Sequence, residues 1–364
     1  MQNESAEFPA PLGYHMPAEW EPHEATWLAW PHNPDTWPGK LHTVPPVYAD
    51  IVRALMPHEK VRLIVPSAAI RAEAESFLAS RAALNENVEF FEFPTDDSWA
   101  RDFGPIFVVR DSEKTGEREV AVTKWKYNCW GGKYPGYRLD NEIPYLIANY
   151  FGADLFDAGI ILEGGSIDVN GQGTLLTTEA CLLNPNRNPE LDRATIEDYL
   201  RAFLGIRKVL WLGDGIEGDD TDGHIDDLAR FVNPTTIVTV VEEDPADPNF
   251  RILRENLERL AGMTTANGEP IDVVTLPMPS PLHYEGQRLP ASYANFLVAN
   301  NVVLLPTYNC PRDAEAAEIL AECFPGREIV GIPCTDLVWG LGAIHCISQQ
   351  QPAGKIAPPR KGNS

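Results

Sequence analysis

Positive charge is scarce in this chain. Over 364 residues, 29 lysines and arginines face 53 aspartates and glutamates, giving a net charge of −24 and a pI near 4.6. Such a surface repels phosphate backbones, and no local basic patch offsets it. Nucleic acid is therefore excluded as a partner, whereas a small cation would be attracted. Cysteine is sparse too. The six present form no C-x-x-C pair and no Cys/His set at zinc spacing, which argues against a structural metal and a disulfide framework. No apolar run reaches the roughly 18 residues of a membrane helix. The opening Met1-Gln-Asn-Glu-Ser has neither the basic end nor the apolar stretch of a secretory signal. A glycine-rich phosphate cradle is missing as well. What remains is an ordinary globular composition, 44% hydrophobic and 23% charged, in a chain long enough to bury a sizeable core. A cytoplasmic location is expected, no membrane partner is, and a homo-oligomer is left open. No linker divides the chain, so residues 1–364 are read as one domain, with 1–15 and 353–364 peripheral or frayed.

A mixed unit recurs along the sequence. Lys60–Val65 reads as a buried strand, 68–83 as a helix from its alanines and glutamates, and Val88–Phe93 as a second strand. A polar loop then carries Asp97, Trp99 and Asp102. The second copy runs through strands at Thr174–Thr178 and Ala180–Leu183, a helix over 189–204, Lys208–Leu212, and the acidic loop 213–223. A third starts at Val302–Pro306, passes a helix over 312–323 and Glu328–Ile332, and reaches Cys346. Leu63, Leu182 and Leu304, taken as strand markers, are 119 and 122 residues apart. Segments 120–170 and 235–300 are strand-rich enough to hold two degenerate copies. Repetition of this kind predicts a pseudosymmetric α/β assembly of strand-helix-strand units around a central site.

The reactive residues follow the same spacing. Cys346 sits after the glycines of Trp339-Gly-Leu-Gly-Ala-Ile-His-Cys346, where the backbone lets a ligand come close. His224 lies 122 residues before it, and Asp102 another 122 before that. In Gly223-His224-Ile225-Asp226, residues two apart on a strand would face one cavity together. Glu163 follows the apolar run Gly159–Leu162 and precedes two glycines, as at the mouth of a buried strand; a turn glutamate is the plainer reading. Asp102 beside Arg101 could simply be an ion pair, the less favoured reading. The loop 213–223 fails as a calcium site, because the EF-hand pattern would put Gly218 at its first ligand and Ala229 at its bidentate glutamate. It reads as a solvated loop. Two carboxylates can hold a planar cation by paired hydrogen bonds. A cation held there would lower the pKa of a nearby thiol and let the thiolate attack, with a histidine moving the protons. His345 would point away from Cys346's side in an extended segment and is left out.

Trp99-Ala-Arg101-Asp102-x-Gly104-Pro105, Trp130-Gly-Gly, Glu163-Gly-Gly-Ser166, Asn186-Arg-Asn188-Pro, Gly223-His-x-Asp-Asp227 and Ile344-His-Cys346 together resemble the agmatine deiminases of the bacterial peptidylarginine deiminase family. The resemblance spans about Met16 to Pro352. It implies a five-bladed α/β propeller of the pentein type serving as one catalytic domain, no cofactor and no metal. The implied reaction is agmatine plus water to N-carbamoylputrescine and ammonia, a step toward putrescine, through an amidino-cysteine on Cys346. Deimination of free or C-terminal peptidyl arginine is the alternative within this chemistry, and a thiol amidohydrolase lies outside it. By motif, His224 is the general acid/base, Asp102 and Asp226 grip the guanidinium, and Glu163 supports that grip and His224. Trp99, Asp97 and Asp220 line the path of the substrate's alkyl chain and amine. Leu341 and Ala343 stand where the family usually has Gly and Asn. Lys124 and Lys126 precede Trp130; a cation aimed into the pocket would favour a carboxylate-bearing substrate.

Overall fold

A computed structural model describes residues 8–112 and 116–360. Its strands form five sheets of one pattern, in which two strands pair antiparallel and a crossover helix returns the chain to a third, parallel strand. The first sheet holds β1 (His23–Ala29), β2 (Lys60–Val65) and β3 (Val88–Glu92). Next come β4 (Ile106–Asp111), β5 (Arg118–Lys126) and β6 (Leu155–Ile161), then β7 (Asp168–Val169), β8 (Thr174–Thr178) and β9 (Lys208–Leu212). The fourth comprises β10 (Ala229–Asn233), β11 (Thr236–Val241) and β12 (Asp272–Pro277). A separate short hairpin follows, β13 (His283–Tyr284) and β14 (Gln287–Arg288), before the fifth sheet of β15 (Leu297–Ala299), β16 (Val302–Thr307) and β17 (Glu328–Pro333). The chain then returns to the start: β18 (Ser348–Pro352) pairs antiparallel with β1, setting Gln349 opposite Trp27 and Ser348 opposite Leu28. The first sheet thus takes its outer strand from the far end of the chain, which closes the ring.

The crossover helices form because one face of each is apolar. In Val44–Leu55, the buried residues Val44, Val47, Tyr48, Ile51, Val52 and Leu55 follow helical spacing, and a proline near its start fixes the first turn. Each large apolar side chain so buried stabilises by roughly 1.5–3 kcal/mol. Arg193–Leu204 is capped by the Asp192 carboxylate, which accepts from Thr195 N–H at 2.9 Å, and is stopped by Gly205 at φ 68°. The apolar residues gather in two bodies, the larger spanning the first, fourth and fifth sheets and the smaller lying around β4–β9 and helix 193–204.

Three expectations are corrected. The unit equivalent to β8–helix–β9 is β1–helix–β2, so the copy read over 60–93 is one strand out of step; helix 68–80 and β3 are an addition to the first sheet. Residues 179–182 form a helical turn rather than a strand, because the Thr178 hydroxyl caps the Cys181 N–H at 3.2 Å. The ends are also built in. Residues 1–7 and 361–364 lie outside the described residues, but Tyr14 and Met16 are buried and His15 bridges to Val109. β19 (Lys355–Ile356) adds in parallel to β5. Segments 120–170 and 235–300 do hold the two further copies.

Candidate active site

Five connections link the last strand of one sheet to the first strand of the next, and each delivers a polar group to the middle of the ring. The connection after β3 brings Asp97, Trp99 and Asp102; that after β6 brings Glu163; that after β9 brings Asp220, His224 and Asp226. Asn295 comes from the fourth and Cys346 from the fifth.

The cluster closes around one glycine. A Cβ at Gly165 would lie 2.6 Å from His224 Nδ1, 2.9 Å from Asp102 Oδ1 and 3.0 Å from Asp226 Oδ2, so only a bare backbone fits between the three groups. Its N–H donates to Asp102 Oδ1 at 2.9 Å, while Trp130 Nε1 donates to the other oxygen at 2.9 Å. Trp130 reaches that oxygen from a left-handed loop, with Cys129, Trp130, Gly131 and Gly132 all at positive φ. For a bulky residue this costs on the order of 1–3 kcal/mol and persists only where the surroundings enforce it.

His224 and Asp226 do come together, though not by strand alternation. Residues 225–227 form a 3₁₀ turn that starts at His224, and the Asp219 carboxylate and Thr221 hydroxyl hold the His224 N–H. Asp219 also ties Gly223 and Thr221, which makes 213–223 an ordered, partly buried loop rather than a solvated one. Glu163 is fully buried and its Oε1 accepts from Arg187 Nε at 2.8 Å. Arg101 does not pair with Asp102. Its guanidinium donates to Gln349 and Gln350 of β18 and to the His345 carbonyl.

Charge is crowded here. Burial, then Asp226 and Glu163, push the Asp102 carboxyl well above its usual range; burial also raises Glu163 against the pull of Arg187. For Asp226 burial works the same way, but the hydrogen bond and charge of His345 win and hold it low. His224 is driven down to about 3 by burial, with Asp226 opposing and Arg187 adding to the effect, so it is neutral at pH 7. Burial and the acids 226, 227 and 102 raise the Cys346 thiol well above its usual value. Three buried polar atoms of these titratable side chains have no partner among the described residues, Glu163 Oε2, His224 Nε2 and Asp226 Oδ1. Buried polar atoms are seldom left so unless a bound group meets them.

A cavity of about 280 Å³ opens onto this cluster. Asp102 and Cys346 lie in its wall, as do Trp99, Trp130, Leu341, Asp97 and Asp220, whereas His224, Glu163 and Asp226 lie outside its lining. Four aspartates line it (35, 97, 102 and 220), and among the described residues no lysine or arginine does. Lys124 and Lys126 are elsewhere. Lys124 Nζ donates to Asn141 Oδ1 at 3.1 Å and lies over the Tyr145 ring, under the crossover helix 143–151. Leu341 takes the left-handed backbone of a helix end at φ 67°, a position that glycine adopts without strain. Two trios could touch one metal ion, Glu163–Cys181–His224 and Asp226–Asp227–Cys346. In each, protein donors already engage part of the set: Arg187 on Glu163, His345 on Asp226, and Asn295 on both Asp227 and Cys346.

Residues 15–352 match the family model described as Porphyromonas-type peptidyl-arginine deiminase. The chain belongs to that family. It is 39% identical over 365 residues to the agmatine deiminase of Stutzerimonas stutzeri, covering 94% of this chain and 96% of that one. Among solved structures, the agmatine deiminase of Enterococcus faecalis superposes with a TM-score of 0.88 at 33% identity, covering 97% and 99% of the two chains. An agmatine deiminase of C. jejuni solved with substrate bound gives 0.83, again at 33% identity, over 94% and 97%. The five-sheet ring of this peptidyl-arginine deiminase family member is the pentein fold, and the protein is a hydrolase acting on C–N bonds. No described helix is long and apolar enough to cross a membrane.

Arg187 and Asn295 were not singled out by sequence reasoning, and His345 was left out of the site. Arg187 had a signal, since it sits inside the Asn186-Arg-Asn188-Pro motif. His345 does turn away from the cavity, but into a buried chain of charges: Nδ1 bonds Asp226 at 2.7 Å and Nε2 bonds Glu19 at 2.9 Å, with Glu19 in turn on Arg230.

Proposed function

We propose that the protein hydrolyses agmatine to N-carbamoylputrescine and ammonia. The observation that carries this is the cavity wall: four aspartates, tryptophan faces and a cysteine, with no described cation to receive a carboxylate. Agmatine is positive at both ends, so such a wall complements it, whereas the carboxylate of arginine would meet only like charge. The two solved agmatine deiminases named above support the same assignment.

In this reading Asp102 and Asp226 hold the guanidinium nitrogens by charge-assisted hydrogen bonds, and Glu163 supports them through its free oxygen. The arriving cation offsets the acids that raise the Cys346 thiol. His224, neutral beforehand, takes the thiol proton as sulfur attacks the guanidinium carbon. It returns that proton to the departing nitrogen, which leaves as ammonia, and an amidino-cysteine cation remains. Water then attacks the same carbon. One of its protons goes to His224, which passes it on to solvent and is neutral again, and the other goes to sulfur, so the C–S bond breaks and the product leaves with a neutral ureido end and its distal ammonium unchanged. Trp99 lies along the alkyl chain, and Asp97 and Asp220 face the distal amine. The protein works in the cytoplasm, as a single catalytic domain that needs no added cofactor.

The test is ammonia release by the purified protein from agmatine, free arginine and a peptide ending in arginine. Turnover of agmatine in preference to both others is expected. Turnover of the arginine compounds alone would overturn the assignment.

A further inference from the structure

Four of the five connections around the ring supply a group to the reaction just described. The fourth, residues 278–296 between β12 and β15, supplies Asn295, which no motif had assigned. Asn295 is completely buried, and its Nδ2 lies 3.0 Å from Cys346 Sγ. The orientation of the amide is fixed by its neighbours. Oδ1 receives the backbone N–H of His345 at 2.9 Å and that of Cys346 at 3.4 Å. Those groups can only donate, so the atom facing them is the oxygen, and the NH₂ end faces Sγ and Asp227 Oδ1, the latter at 3.0 Å. The connection is itself pinned. The Ser292 hydroxyl donates to the Asp227 carbonyl at 2.8 Å, and the His345 N–H lies 3.3 Å from the Asn295 carbonyl.

We propose that Asn295 is a catalytic residue whose side-chain N–H donates to the Cys346 sulfur and stabilises its thiolate. Asp226 Oδ2, an acid, lies 3.8 Å from the sulfur, and the Ala343 backbone also hydrogen-bonds it. Burial and three carboxylates oppose the anion, so a neutral donor held against sulfur is the protein's own counterweight. It acts without adding a cation that would compete with the substrate's guanidinium. The inference rests on the deiminase reading for its role in turnover, but its effect on the thiol exists without substrate.

The experiment is therefore run without substrate. The rate at which iodoacetamide alkylates Cys346 is followed across pH, with peptide mass spectrometry separating it from the other five cysteines. Asn295→Asp keeps the shape and the acceptor for both backbone groups; Asn295→Ala removes the donor without adding charge. Each should slow Cys346 alkylation about ten- to a hundredfold below its midpoint and move that midpoint up by about one to two pH units. Half-buried Cys310 should react as in the wild type, which reports an intact fold. An unchanged midpoint in both variants overturns the proposal. So does a shift in Asn295→Asp alone, which would assign the effect to the added charge. If the wild type releases no ammonia from any guanidine, the deiminase reading fails while this result stands.

Discussion

Asp102→Asn changes one atom type at the centre of the site. Both carboxylate oxygens accept hydrogen bonds, from Trp130 Nε1 and from Gly165 N–H. Whichever way the new amide turns, its NH₂ faces one of those donors, and the charge that would grip a guanidinium is gone. Losing one charged partner of a buried pair costs about 2–5 kcal/mol, or roughly 30- to several-thousand-fold in kcat/KM. Stability should behave differently. The native carboxyl is already disfavoured by burial and by Asp226 and Glu163, so a neutral side chain relieves that crowding while the donor clash costs about 1–3 kcal/mol. The two largely cancel. Ammonia release from agmatine, measured beside urea unfolding, should thus show a large kinetic loss with a shift in unfolding free energy under about 2 kcal/mol. Wild-type kcat/KM together with a marked loss of stability would refute the reasoning and return Asp102 to a structural role.

Cys346→Ala should abolish ammonia release while agmatine still binds, as read by calorimetry; normal product formation would rule out the amidino-cysteine route. Asp220→Asn and Asp97→Asn should each raise KM for agmatine roughly tenfold with kcat little changed, because the distal amine is bound equally in ground and transition states. His224 gives a pH signature. Its folded pKa, about 3, lies below the reference 6.5, so the unfolded state binds the extra proton and stability falls as pH drops through 6.5. At pH 5 the wild type should have lost about 2 kcal/mol through this group relative to pH 8. His224→Asn should lack that component when the two unfolding free energies are compared across the range.

The sequence alone determined which residues were candidates for the site. Cys346, His224, Asp102, Glu163 and Asp226 were legible because each sits in a short motif of glycines and apolar residues that repeats with the fold, and such local signals survive in one dimension. Only the tertiary structure could decide which groups touch them. Asn295 reaches Cys346 across 51 residues and His345 reaches Glu19 across 326, so no local pattern announces either contact. The direction of Lys124 was likewise undecided, because strand parity says only that it opposes Trp125. The crossover helix over that face settles it, taking the ammonium to Asn141 and Tyr145 rather than to the cavity. The repeat itself was misphased at the first sheet for the same reason. β1 completes its unit with β18 from the other end of the chain, and a pairing between residues 23 and 352 leaves no local trace in either segment.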